Sequence, residues 1–147
     1  MIENKSGRIR QFASDPILQR QAERTFMNAV LLVEDSSSQR EMISGILKDH
    51  GWKVTIACDG VEALEQLQKF SPDLVVLDIV MPRMNGYEVC RRIKSDPKTK
   101  NVPVIMCSSK GEEFDRFWGM RQGADAYIAK PFQPMELVGT IKQLLRN

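Results

Sequence analysis

Five short aliphatic runs alternate with amphipathic segments along the chain from residue 29 onward. The runs are apolar throughout, which is typical of strands that helices cover on both faces. The predicted strands are 29–33, 53–57, 73–77, 102–107 and 126–129. Strands that alternate with helices favour parallel βαβ units. The sequence therefore predicts a doubly wound α/β domain with a five-stranded parallel sheet and five helices.

Capping and stop signals place the helices between these strands. The spacing predicts helices over about 37–50, from 59, over 87–95, over 112–122 and from 134. Asp59 and Glu62 resemble a capping box, in which the first residue caps the helix and the second reaches back. Gly51 and Gly123 are stop signals, and Pro134 suits a first helical position.

The composition is that of one ordinary globular domain. The chain has 147 residues, of which 42% are hydrophobic, and this length is enough to bury a core. It contains no apolar stretch of about 18 residues, so we expect no membrane insertion. Cys58, Cys90 and Cys107 match neither a disulfide framework nor a zinc site. Reduced thiols in a cytoplasmic protein are therefore expected.

Charge separates an N-terminal extension, residues 1–28, from a predicted domain, residues 29–147. The extension holds five basic and three acidic residues, whereas the domain holds sixteen of each. A neutral domain lacks the basic patch of a nucleic-acid-binding protein, so no nucleic-acid partner is expected. Apolar residues within 17–26 follow near-helical spacing, which leaves open a short amphipathic helix or an unstructured tail.

Polar side chains follow four of the five predicted strands. They are Glu34 and Asp35, Asp78, Ser108 and Ser109, and Lys130. The carboxyl ends of parallel strands meet at one edge of a sheet, where open α/β folds place their ligands. Taken singly, Asp35 could be a helix cap, Ser108 a turn residue and Lys130 a surface charge. Their joint occurrence favours one shared site.

The charges of this site point to phosphate chemistry. Three neighbouring acids cannot all ionise without a cation, and carboxylates with water suit Mg²⁺. Lys130 adds a positive charge for phosphoryl oxygens, and Ser108 adds a hydroxyl donor. Asp78 lies deepest in an apolar strand, so we predict it to be the nucleophile that forms an aspartyl-phosphate.

Four motifs in order carry a family resemblance. They are LLVEDS, LVVLDIVMPRMNGYE, VIMCSSK and GADAYIAKPF, and they span most of residues 29–147. This region resembles the receiver domain of two-component response regulators in its CheY-like form, which has a flavodoxin-like fold. The resemblance implies that a histidine kinase phosphorylates Asp78 and that the domain then signals by changed protein contacts.

The resemblance also implies roles for the residues around Asp78. Asp35, Asp78 and the backbone carbonyl of Val80 would bind Mg²⁺, and Glu34 would help through a water molecule. Lys130 would hold the phosphoryl group, and its bond to Pro131 would be cis.

A conformational switch is implied as well. Ser108 would move to hydrogen-bond the phosphoryl group, and Tyr127 would turn into the vacated space. The face formed by helix four, strand five and helix five would then change shape. Gly86 would permit a tight backbone after the site.

The sequence departs from the family pattern at two positions, and the second concerns dephosphorylation. Ser108 stands where threonine is common, and Val80, two residues after Asp78, cannot orient an attacking water. Lys110 could reach the phosphoryl group electrostatically. Slow self-dephosphorylation is therefore expected, with no enzymatic activity beyond the domain's own phosphoryl transfer. A phosphohydrolase of the haloacid-dehalogenase type would need a second acid at the position of Val80.

The sequence indicates less clearly which downstream protein or process the domain controls. The segment EFDRFWGMRQGA resembles receivers of chemotaxis-like systems that control type IV pili, twitching or phototaxis, and Trp118 within it is expected to pack partly buried. We expect a stand-alone receiver that contacts a downstream protein such as a motor or pilus component. A phosphate relay or sink, a fragment of a longer regulator and a receiver that works without phosphate are the alternatives.

Overall fold

The computed structural model describes residue 16 and residues 28–146. The strands are β1 (Ala29–Val33), β2 (Lys53–Ala57), β3 (Leu74–Leu77), β4 (Val104–Ser108) and β5 (Ala126–Ala129). The helices are α1 (Ser37–Asp49), α2 (Gly60–Leu67), α3 (Gly86–Ser95), α4 (Glu113–Arg121) and α5 (Pro134–Arg146). The predicted extension lies almost entirely outside the described residues, so its helix and its boundary stay predictions.

All five strands are parallel and lie in the order β2-β1-β3-β4-β5, which confirms the predicted fold. The register aligns the strand ends at one edge. Val33 pairs with Leu77, so the acids that follow these two residues lie side by side. Ser108 pairs with Ala129, which places Lys130 next to the end of β4.

The core consists of two apolar layers, one on each face of the sheet. On one face, residues of β1, β3 and β4 form one buried cluster with residues of α2 and α3, which includes Leu31, Leu77 and Val89. On the other face, Val76 and its neighbours pack against α1 and α5. Burial on both faces explains why the strand sequences are apolar throughout.

The sequence placed the ends of two strands wrongly. β4 was expected from residue 102 to 107, but it begins at Val104 and includes Ser108. Pro103 has no N–H to donate, and its carbonyl accepts a hydrogen bond from the Val75 N–H at 2.9 Å. Asp73 was expected in β3, but its side chain instead accepts the Ala29 N–H at 2.7 Å.

The structure confirms the predicted start and stop signals of the helices, with one difference in the hydrogen bond of Glu62. Gly51 and Gly123 end helices with φ of 85° and 106°, and Pro134 begins α5. Asp59 caps α2 by accepting the Glu62 N–H at 2.8 Å. Glu62 reaches back further than a capping box requires, because its carboxylate accepts the N–H of Cys58 at 2.6 Å.

Candidate functional site

A pocket of about 550 Å³ lies at the carboxyl edge of the sheet. Most of the residues predicted for the site line it. They are Glu34, Asp35, Asp78, Val80, Ser109 and Lys130, joined by Ser36, Gln39, Met42, Pro131 and Phe132. Ser108 is fully buried and does not line the pocket, so Ser109 is the residue of the pair that faces the opening.

Three carboxylates converge in this pocket. One oxygen each of Glu34, Asp35 and Asp78 lies within 4.8 Å of the others. Glu34 is 2% exposed and Asp78 is 8% exposed, whereas Asp35 is open to solvent. Because clustered acids with one open side suit a hydrated hard cation, the donor set fits Mg²⁺.

Lys130 is the basic partner of the two buried acids. Its Nζ lies 2.6 Å from Oε1 of Glu34 and 3.8 Å from Oδ2 of Asp78. Burial raises the pKa of Glu34 above 4.5, although the hydrogen bond from Lys130 acts in the opposite direction. The peptide bond between Lys130 and Pro131 is cis, as the resemblance implied.

The two carboxylate oxygens of Asp78 have different partners. Oδ1 accepts the N–H of Ile79 at 2.7 Å, while Oδ2 is the oxygen nearest to Lys130. Gly86 lies directly behind this segment, and its N–H donates to the Ile79 carbonyl at 2.8 Å. A Cβ at Gly86 would lie 2.2 Å from the Asp78 carbonyl oxygen, so only glycine fits here.

Val80 and Lys110, the two residues expected to affect self-dephosphorylation, differ in their position relative to the pocket. Val80 is 52% exposed and lines the pocket, where it offers no polar atom from its side chain. Lys110 is exposed and contributes through its backbone, because its N–H donates to Ser108 Oγ at 3.3 Å.

Tyr127 is already turned inward. It is buried, and its hydroxyl donates a hydrogen bond to the carbonyl oxygen of Lys110. Burial raises the pKa of Tyr127 to about 12, so the hydroxyl keeps its proton at neutral pH. The peptide of Lys110 therefore joins the two residues predicted to form the switch, since its N–H donates to Ser108 and its carbonyl accepts from Tyr127.

Sequence reasoning missed one residue that supports the acids. Arg40, in the first turns of α1, donates from Nη1 to the carbonyl oxygens of Glu34 and Asp35 at 3.1 and 2.9 Å. These bonds fix the loop that carries two of the three carboxylates. No motif marks an arginine five residues after an acid, so only the structure could reveal it.

The exposure of α4 was also not foreseen. Phe114 is 70% exposed, and Trp118, expected to pack partly buried, is 43% exposed and stacks on it with ring centroids 6.3 Å apart. Phe117 and Met120 are exposed on the same helix. Large apolar side chains that cluster at a surface mark a binding face.

The part of the chain described by the structure contains no helix long and apolar enough to cross a membrane.

The order of the strands and the alternation of strands and helices are those of a CheY-like fold. The chain belongs to the response regulator receiver domain family, whose sequence model matches residues 30–142.

Relatives of known sequence or structure agree with this assignment. The DNA-binding response regulator MtrA of Mycobacterium tuberculosis is 38% identical over 123 residues, which are 84% of this chain and 53% of MtrA. The chain therefore spans about half the length of the curated relatives it matches.

Two solved structures show the same fold over nearly the whole of their own chains. The chemotaxis response regulator CheY4 of Vibrio cholerae is 35% identical, with a TM-score of 0.75 over 80% of this chain and 98% of that one. The receiver domain of a sensor histidine kinase from Pseudomonas aeruginosa is 27% identical, with a TM-score of 0.77 over 82% and 99%. The latter has a magnesium ion coordinated in its active-site cleft.

Proposed function

We propose that this receiver accepts a phosphoryl group on Asp78 from the phosphohistidine of a histidine kinase. The observation that carries the proposal is the convergence of three acids and Lys130 in one pocket. Oδ2 of Asp78 would attack phosphorus while the phosphorus–nitrogen bond to histidine breaks and the histidine leaves. Lys130, already 3.8 Å from Oδ2, would contact the phosphoryl oxygens.

The metal part of the proposal follows from the donor set. Asp35, Asp78 and the Val80 carbonyl would hold Mg²⁺, and Glu34 would assist through water. When bound, the ion supplies positive charge for the acids and for the incoming phosphoryl oxygens. The magnesium in the related Pseudomonas aeruginosa receiver supports this assignment.

The proposed activity stops at self-phosphorylation and slow self-dephosphorylation. The side chain of Val80 projects at the pocket without a group that could position a water or act as a general acid. This argues against a phosphohydrolase, which would turn over small phosphoesters. A phosphoryl half-life of only seconds, or one that Val80→Asn does not shorten, would contradict the proposed role of Val80.

Signalling would begin at Ser108 and end at α4. If Ser108 Oγ turned toward a phosphoryl group, it would leave the N–H of Lys110, whose carbonyl holds the Tyr127 hydroxyl. Phosphorylation would therefore bias two packing arrangements of the segment between β4 and α4. The exposed aromatic residues of α4 would form part of the face that a downstream protein reads.

The identity of that output is a further part of the proposal. Relatives such as MtrA are DNA-binding regulators in which the matched region makes up only 53% of the protein, so an attached output region and a separate protein target are both compatible with the receiver. The candidate outputs are a motor or pilus target, a phosphate relay and a phosphate sink. Each of them predicts a different set of proteins that bind this receiver. We also propose a cytoplasmic location, which membership of this family supports.

Binding of beryllofluoride, a phosphoryl mimic, tests the proposal. Amide NMR signals around Asp78 and along α4 should shift when beryllofluoride is added with Mg²⁺, and Asp78→Asn should abolish the response. Asp49→Asn, an exposed acid at the end of α1, is the matched control and should respond like the wild type. A wild-type spectrum that does not change when beryllofluoride and Mg²⁺ are added would refute the proposal.

A further inference from the structure

Arg116, in the middle of α4, contacts both the backbone and the ring of Tyr127. Nη1 donates a hydrogen bond to the Tyr127 carbonyl oxygen at 3.0 Å, and Cζ lies 5.4 Å from the ring centroid. A guanidinium at this distance is attracted by the electron-rich face of an aromatic ring. The backbone contact survives any rotation of the side chain, whereas the ring contact requires the buried rotamer of Tyr127.

The helix that carries Arg116 buries little of its surface. Of the nine residues of α4, all within the described part of the chain, only Gly119 is buried. An added Cβ there would lie 2.8 Å from Sδ of Met106 and 3.0 Å from the Tyr127 ring, so the helix approaches the sheet at this point. An element with few buried contacts moves at low cost in free energy. A side chain that joins α4 to Tyr127 therefore affects the position of both.

We propose that Arg116 is a positioning residue that stabilises the buried rotamer of Tyr127 and so sets how many unphosphorylated molecules adopt the arrangement that phosphorylation favours. The inference rests on the two-state switch of the proposed function. In the buried rotamer the Tyr127 hydroxyl is held by the Lys110 carbonyl and the ring face is covered by Arg116. Both contacts are lost when the ring turns out.

Fluorine NMR on fluorotyrosine-labelled protein measures the two rotamers directly. The chain has two tyrosines, and Tyr87→Phe assigns the remaining signal to Tyr127. Arg116→Met keeps the length of the side chain but removes its charge and its donors. Without magnesium or any phosphoryl donor, it should lower the ratio of buried to exposed Tyr127 by roughly two- to fivefold, and Arg116→Lys should give an intermediate ratio.

Arg121→Met is the matched control on the same helix. The guanidinium of Arg121 lies 5.8 Å from the Phe117 ring, so its loss should leave the Tyr127 signal unchanged. An unchanged ratio in Arg116→Met, an equal fall in Arg121→Met, or a loss of helix content by circular dichroism in Arg116→Met would overturn the proposal. The measurement uses unphosphorylated protein, so a failure of Asp78 to accept phosphate would leave its result standing.

Discussion

Gly86→Ala should destabilise the domain and damage the site with a single methyl group. The added Cβ would lie 2.2 Å from the Asp78 carbonyl oxygen and 2.7 Å from Cα of Ile79. Both atoms belong to the backbone, so no side-chain rotation relieves the clash. Overpacking costs about 1–3 kcal/mol, and a clash with rigid backbone belongs at the upper end of that range. The higher helix propensity of alanine offsets roughly 0.5–1 kcal/mol, which leaves a net loss of about 2 kcal/mol.

The same substitution at Gly139 is the matched control. Gly139 is exposed in α5 and has no atom within 4 Å of an added Cβ, so alanine there should raise the free energy of unfolding by about 0.5–1 kcal/mol. Urea unfolding followed by circular dichroism measures both variants. Gly86→Ala should also weaken the NMR response to beryllofluoride, because the Asp78 backbone must move. If the two variants shift the urea midpoint in the same direction, the reasoning about Gly86 is refuted.

Two further predictions concern acid stability and thiol reactivity. Asp59→Ala removes the cap of α2 and the ion pair with Arg83, and it should lower the free energy of unfolding by about 1 kcal/mol at pH 7. The hydrogen bond from the Glu62 N–H, and then Arg83, hold the pKa of Asp59 below its usual 3.8, so this stabilisation is present above that pH and is lost as the pH falls through the lowered value. Urea unfolding of both proteins from neutral to acidic pH should show the difference shrinking in acid, and a constant difference would argue against the assignment. Burial raises the pKa of Cys107 to about 12, whereas Cys58 is exposed. Iodoacetamide at about pH 8 should therefore modify Cys58 and spare Cys107 in the folded protein, and peptide mass spectrometry showing equal labelling would contradict the described core.

The fold could be predicted because several independent features of the sequence indicated the same strands and helices. Apolar runs of strand length, a cap at Asp59, stops at Gly51 and Gly123 and a proline at the start of α5 all pointed to the same elements. The strand ends were less certain because hydrophobicity does not report hydrogen bonding. Pro103 is apolar, but it cannot donate within a ladder, so β4 begins after it.

The parallel sheet predicted which residues would form the site, but it did not predict the contacts of the side chains that support the site. The carboxyl ends of the strands had to meet, which brought Glu34, Asp78 and Lys130 together. The contacts of Arg40 with the loop carbonyls and of Arg116 with Tyr127 depend on side-chain directions that residue spacing does not encode. Such contacts join loops and helices whose relative positions are set only by packing.

The most direct test is the intact mass of the protein after incubation with acetyl phosphate and Mg²⁺. We expect one added phosphoryl group that is sensitive to hydroxylamine, is absent when magnesium is chelated and is absent in Asp78→Asn. A protein that gains no phosphoryl group, or gains it equally without the metal or without Asp78, would contradict the claim that this acid cluster makes Asp78 a phosphoryl acceptor.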